Sequence, residues 1–187
     1  MAQKRKDWNG LISGFKASDL VFLDESGCNT DMTRQYAYSL GGSRAVDSAP
    51  LSKPKNTTIL SSIQLDGTLR YTTFSGGTTV ERFKRYLETD LLPHLNGNSV
   101  LIMDHMKSHH AKAVRNLLDS SGVRYIYLPP YSPDLNPIEK LWSKVKAFLR
   151  KFKARTLDAL PNAIQNAFHS VTISDCSGWF RFCGYAL

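Results

Sequence analysis

The 187-residue sequence predicts an α/β fold, a mixed β-sheet flanked by helices. Three observations carry that reading. Two uninterrupted apolar runs, residues 20–23 and 100–103, each end in an aspartate and suit central strands buried on both faces. Two β-rich segments, 59–65 and 69–74, are joined through Asp66-Gly67, a tight-hairpin signal. Between residues 100 and 128 the order of strand, helix and strand implies a parallel, right-handed crossover.

The remaining elements follow in chain order. Residues 36–40, just before Gly41-Gly42, read as a further strand, and the KPKNT stretch at 53–57 as a loop. Val80, Phe83, Leu87 and Leu91 recur at helical spacing until Pro93 stops the helix. A second helix over 111–120 ends at Gly122, and the strand RYIYL (124–128) is stopped by Pro129-Pro130. From Ile138 the apolar residues fall at 138, 141, 142, 145, 148, 149 and 152, the period of an amphipathic helix. A helix over 158–170 and a short one within 173–185 complete the chain, the latter packing through Trp179, Phe180 and Phe182. We expect a single domain over 1–187, with a core of about 18–155 and C-terminal helices in 156–185. A chain of this length buries roughly 70% of its unfolded surface.

Composition narrows the function classes. No stretch approaches the roughly 20 apolar residues that cross a bilayer, and no apolar core follows the basic N-terminus, so the reading is a non-exported, cytoplasmic protein without a membrane partner. Cys28, Cys176 and Cys183 form no CxxC pair, which argues against a disulfide framework and a cysteine zinc site. The net charge is +8, and between Asp104 and Arg155 there are 11 Lys/Arg against 4 Asp/Glu. That surplus suits a polyanionic partner or, more plainly, a solvated helix face.

If the two apolar strands are parallel neighbours, Asp24 and Asp104 lie together at the C-terminal edge of the sheet, where open α/β sheets bind ligands. A single aspartate after a strand is usually a turn former. Glu139 has two readings. Asn136, Pro137 and Glu139 match the N-cap, N1 and N3 positions of a capping box. Yet neither Trp142 nor Ser143, three and four residues on, is basic, so no intrahelical ion pair occupies the carboxylate. Ser143, Lys146, Arg150 and Lys153 continue the same stripe and make it basic. Converging carboxylates repel one another without cations. They suit Mg²⁺, and two such ions about 4 Å apart serve phosphoryl transfer. The basic stripe would then follow a nucleic-acid backbone.

The strings FLDESG, MDHMKSHHAKAVR and LPPYSPDLNPIEKLWSKVK resemble the catalytic domain of insertion-sequence transposases of the mariner superfamily, over roughly residues 8–185. The likeness implies a ribonuclease H-like fold with a mixed five-stranded sheet. It implies Asp24, Asp104 and Glu139 as catalytic and metal-binding triad, with two Mg²⁺ or Mn²⁺ ions per site. The implied reaction is hydrolytic cleavage at transposon ends followed by strand transfer of the freed 3′-OH into a TA dinucleotide. By mechanism, Asp24 and Asp104 take the shared ion and Glu139 the second, while Glu25 rivals Asp24, since only one of two successive strand residues faces the metals. DNA contacts are expected from Lys107, His109, His110, Lys112, Lys146, Arg150 and Lys153, in a homodimer on DNA. His105 stands where the family often has asparagine. About 19 residues precede the first strand, so the DNA-end recognition that the family's helix-turn-helix modules supply is expected from an upstream reading frame or another polypeptide, or is absent.

Two other readings stay open at this level. His105, His109 and His110 beside Asp104 suggest a zinc-dependent hydrolase, since 105 and 109 have the spacing of helical ligands. The chain is otherwise an inactive, transposon-derived nucleic-acid-binding protein.

Overall fold

The computed structural model describes residues 2–34, 36–48, 50–51 and 54–185. Its five strands are β1 (Leu20–Cys28), β2 (Thr57–Gln64), β3 (Leu69–Ser75), β4 (Val100–Met103) and β5 (Arg124–Tyr127). They form one sheet in the order β3-β2-β1-β4-β5. β1, β2 and β3 are antiparallel neighbours, whereas β4 runs parallel to both β1 and β5. The turn between β2 and β3 carries Gly67 at φ +89°, a backbone conformation that favours glycine.

The helices are α1 (Ala2–Ile12), α2 (Val80–Tyr86), α3 (Lys112–Ser121), α4 (Ile138–Phe152), α5 (Leu160–His169) and α6 (Ile173–Phe182). α2 runs on as a π-helical segment, Leu87–Leu91, and then a 3-10 turn containing Pro93. α3 supplies the β4–β5 crossover and ends at Gly122, whose φ of 71° closes the helix in the left-handed conformation.

The apolar strand runs divide by parity. Leu20, Phe22, Val100 and Ile102 pack into one core with Ile138, Leu141, Trp142, Val145, Ile164 and Phe180. Val21, Leu23, Leu101 and Met103 pack into the other with Phe83, Tyr86, Val114 and Leu118. α2 and α3 therefore cover one face of the sheet and α4, α5 and α6 the other. All eight of these strand residues are buried. Truncating Phe22, which contacts Phe180 edge-on at 5.4 Å, to alanine would cost about 3–5 kcal/mol.

Four expectations are corrected, and one helix, α1, is new. Residues 36–40 form no strand: no neighbouring strand pairs with them, and Tyr36 and Tyr38 stay exposed. α1 carries no strong periodicity in the sequence, yet it is anchored by buried Trp8 and by an ion pair from Arg5 to Asp134. Phe182 is exposed beneath Lys140 Nζ, 3.9 Å from its ring centre, while Phe180 alone of the α6 aromatics is fully buried. The capping box at α4 is absent: Asn136 forms no side-chain cap and its Oδ1 is buried without a partner, while a box does form at α6 between Thr172 and Asp175. Of the loop expected at 53–57, Lys53 lies outside the described residues and Thr57 already belongs to β2.

Candidate active site

The parallel ladder of β1 and β4 ends at the pair Leu23↔Met103, so Asp24, still in β1, and Asp104, the first residue after β4, come next on two adjacent strands. Both follow the even-numbered positions that face α4. α4 begins beside them, after the 3-10 turn Pro133–Leu135, and places Glu139 in its first turn. Asp24, Asp104 and Glu139 line one cleft of about 500 Å³, together with His105, Leu128, Tyr131 and Asn136. Tyr131, at the edge, has φ 54°, a conformation rare for a residue with a side chain.

Each acid is held differently. Asp24 Oδ1 accepts the Glu25 amide at 2.8 Å and Oδ2 accepts the Trp142 indole N–H at 3.2 Å. Burial pushes the Asp24 carboxyl up to about 7, and the charges of Glu25, Asp104 and Glu139 push it the same way. Asp104 is half exposed, and its Oδ1 accepts the Met106 amide at 2.9 Å and approaches His109 Nδ1 at 2.8 Å. Partial burial raises the Asp104 carboxyl, but these bonds and the neighbouring imidazoles outweigh it and leave the group below its ordinary value. Glu139 is exposed and makes no side-chain bond to the first amides of its own helix.

Glu25 points to the opposite face, as strand alternation requires. Its Oε1 lies 3.2 Å from His109 Nε2, and its Oε2 is buried without a partner. His109 thus sits between Glu25 and Asp104, stacked on Phe83 at 4.2 Å. Burial lowers the imidazole, yet the two carboxylates more than offset it and raise His109 to about 10.

The expected phosphate contacts separate into groups. Lys107 and Lys112 are exposed, and His110 is half-buried against Tyr127 at 4.2 Å. His109 is a correction: its side chain is 0% exposed, so it cannot touch a phosphate. Lys146 and Arg150 lie half-buried along α4, whereas Lys153 follows the helix and pairs with Asp47 at 2.6 Å. Asp134, in the 3-10 turn before α4, binds Arg5 of α1.

The three histidines do not converge as zinc ligands. His105 Nδ1 and His110 Nε2 face each other at 3.0 Å, while both nitrogens of His109 are engaged by carboxylates. Among the described residues no three His, Cys, Asp or Glu side chains are already closed around one point. The three cleft acids nevertheless fit hard divalent cations: all are oxygen donors, and the cost of ionising Asp24 beside its neighbours is what a cation would relieve. No helix among the described residues is long and apolar enough to cross a membrane. The three cysteines are free and buried.

Two features of the site are invisible to periodicity. Trp142 reads in the sequence as an apolar position of α4, and only the fold reveals its bond to Asp24. His109 reads as part of a basic loop, and only its stacking on Phe83 exposes its link between Glu25 and Asp104.

Known proteins resemble this chain in sequence and in fold. The Tc1 transposable-element transposase of Caenorhabditis elegans is 29% identical over 97 residues, which are 50% of this chain and 36% of that protein. A pre-cleavage Mos1 transpososome superposes with TM-score 0.81 at 18% identity, covering 97% of this chain and 58% of that one. A Mos1 mariner paired-end complex with Mn gives 0.79 at 20% identity, covering 95% of this chain and 57% of that one. The Mos1 mariner catalytic domain gives 0.72 at 16% identity, covering 96% of this chain and 85% of that one. This likeness establishes the ribonuclease H-like fold with its mixed five-stranded sheet. The chain spans little more than a third of the Tc1 protein it matches. The family described as DDE superfamily endonuclease matches residues 19–161. Because that match takes in the entire sheet and all three cleft acids, the chain belongs to the DDE superfamily of endonucleases.

Proposed function

We propose that the chain is the catalytic domain of a DNA transposase that cleaves transposon ends and joins them to target DNA. The observation that carries this reading is the convergence of Asp24, Asp104 and Glu139, from β1, β4 and α4, on one cleft. Asp24 and Asp104 would hold one Mg²⁺ or Mn²⁺ ion between them, and Glu139 would hold chiefly a second. Bound there, such ions supply activation of the attacking oxygen and charge stabilisation of the leaving one.

The chain's own residues prepare that chemistry. The Trp142 indole and the Glu25 amide orient Asp24, and the Met106 amide binds Asp104. The exposed Lys107 and Lys112, with Lys146 and Arg150 on α4, would neutralise backbone phosphates and hold the strand. The Tc1 match and the Mos1 complexes with transposon ends support DNA as the substrate. Joining two ends implies a homodimer on DNA, with helix-turn-helix modules recognising the end sequence. Such a protein would work in the cytoplasm, at the nucleoid.

The test is a nicking assay on an oligonucleotide bearing the element's end, with and without the product of an upstream reading frame. Asp24→Asn, Asp104→Asn and Glu139→Gln are each expected to abolish Mg²⁺-dependent nicking while DNA binding persists. Full nicking by Glu139→Gln would sink the assignment.

A further inference from the structure

We infer that His109 is a positioning residue for the carboxylate set, holding one oxygen of Asp104 in place and bracing it against Glu25. The inference rests on the reading of Asp104 as a metal ligand given above. Asp104 is the more exposed partner and follows the last residue of its strand, so its side chain would otherwise be free to change rotamer. Its Oδ1 meets His109 Nδ1 at 2.8 Å and the Met106 amide at 2.9 Å. Among the described residues its Oδ2 has no hydrogen-bond partner, which leaves one oxygen fixed and one available.

The imidazole is itself fixed in every direction that matters. Phe83 sets the ring plane by stacking at 4.2 Å and 28°. The backbone is tied on both sides, since the His109 amide donates to Met106 O at 3.0 Å and the Tyr127 hydroxyl donates to His109 O at 3.0 Å. Glu25 Oε1, 3.2 Å from Nε2, secures the far nitrogen. A chain of partners behind a ligand that locks its orientation is the usual way a protein preorganises a metal site.

A purely structural role accounts poorly for this arrangement. Glu25 Oε2 is buried without a partner, so the Glu25–His109 pair carries an uncompensated desolvation cost. Two apolar side chains of similar volume would fill the same space at no such cost. What they would not do is reach Asp104.

The test measures Mn²⁺ binding to the metal-free full chain by electron paramagnetic resonance of the unbound ion, alongside thermal melts. Asp104→Asn, which should abolish binding, identifies the site. His109→Phe keeps the stack on Phe83 and is expected to weaken Mn²⁺ binding about 10–100-fold. The double variant Glu25→Met with His109→Phe removes the buried charge, so it should melt no lower than wild type yet still bind Mn²⁺ at least about 10-fold more weakly. Wild-type Mn²⁺ affinity in either folded variant overturns the inference. Should neither fold, His109→Asn decides, because its shorter amide cannot span both carboxylates; wild-type affinity there overturns it equally. A wild-type chain that binds Mn²⁺ through Asp104 but never nicks DNA would sink the transposase reading and leave the role of His109 standing.

Discussion

The indole N–H of Trp142 donates to Asp24 Oδ2 at 3.2 Å, joining α4 to the central strand three residues after Glu139. One helix therefore supplies a candidate ligand and orients another. Trp142→Phe would keep the buried ring and lose the donor. We predict a melting temperature lowered by the equivalent of about 1 kcal/mol, with a higher Mg²⁺ concentration needed for half-maximal nicking. An unchanged Mg²⁺ requirement would reduce Trp142 to packing.

Asp24 makes the metal-free protein less stable at neutral pH. Its folded pKa, about 7, lies above the unfolded carboxyl value of about 3.9, so between them the folded state binds more protons. Stability accordingly falls as pH rises from about 4 to about 7 and stays reduced above that. Asp24→Asn, which cannot ionise, should raise the melting temperature in chelator at pH 8 by the equivalent of a few kcal/mol at most, on the order of the shift itself. At pH 4 the gain should vanish; an equal gain at both pH values would contradict this account.

Asp175 acts in the opposite sense. The bond from Lys144, at 2.5 Å, holds its carboxyl below the ordinary value, aided by the Thr172 amide and hydroxyl. Its stabilising effect is therefore present above the unfolded pKa and lost as pH falls through the lower folded one. Asp175→Ala should cost about 1 kcal/mol at pH 7, through the capping box at α6 and its tie to α4. Urea unfolding at pH 7 and at pH 2.5 should show that difference shrinking in acid.

The basic residues of α4 should differ in their effect on DNA. Lys146→Ala and Arg150→Ala are each expected to weaken binding across sequences and to reduce the salt slope by about 1. Lys153 already pairs with Asp47, so Lys153→Ala should change the slope less. Fluorescence anisotropy at several salt concentrations separates the three; equal slopes for all would remove the stripe from the DNA path.

Much of this arrangement is legible in the sequence because its signals are local. The four-residue apolar runs before Asp24 and Asp104 reflect strands covered on both faces, and the α4 pattern reflects one helix on one core. The Asp66-Gly67 turn is a backbone requirement. What escapes the sequence depends on distant partners. α1 is held by Trp8 and by Arg5 on Asp134, contacts that no periodicity announces. Residues 36–40 have strand composition but no strand to pair with. Asn136 and Glu139 spell a capping box, yet burial of Asn136 leaves its side chain away from the helix amides. His109 looks like a surface cation until Phe83, 26 positions earlier in the chain, covers it.

The even–odd division of β1 also governs which changes the chain tolerates. Asp24 faces α4 and Glu25 faces Phe83 and His109 because they differ by one position in a strand whose register is set by Leu20↔Val100 and Leu23↔Met103. Deleting or inserting one residue between Leu20 and Asp24 would turn the aspartate toward the wrong side and invert every core contact of the strand together. Length variation in this stretch is therefore quantised in pairs, and a chain acquiring a single-residue insertion there would lose its fold and its chemistry in the same step.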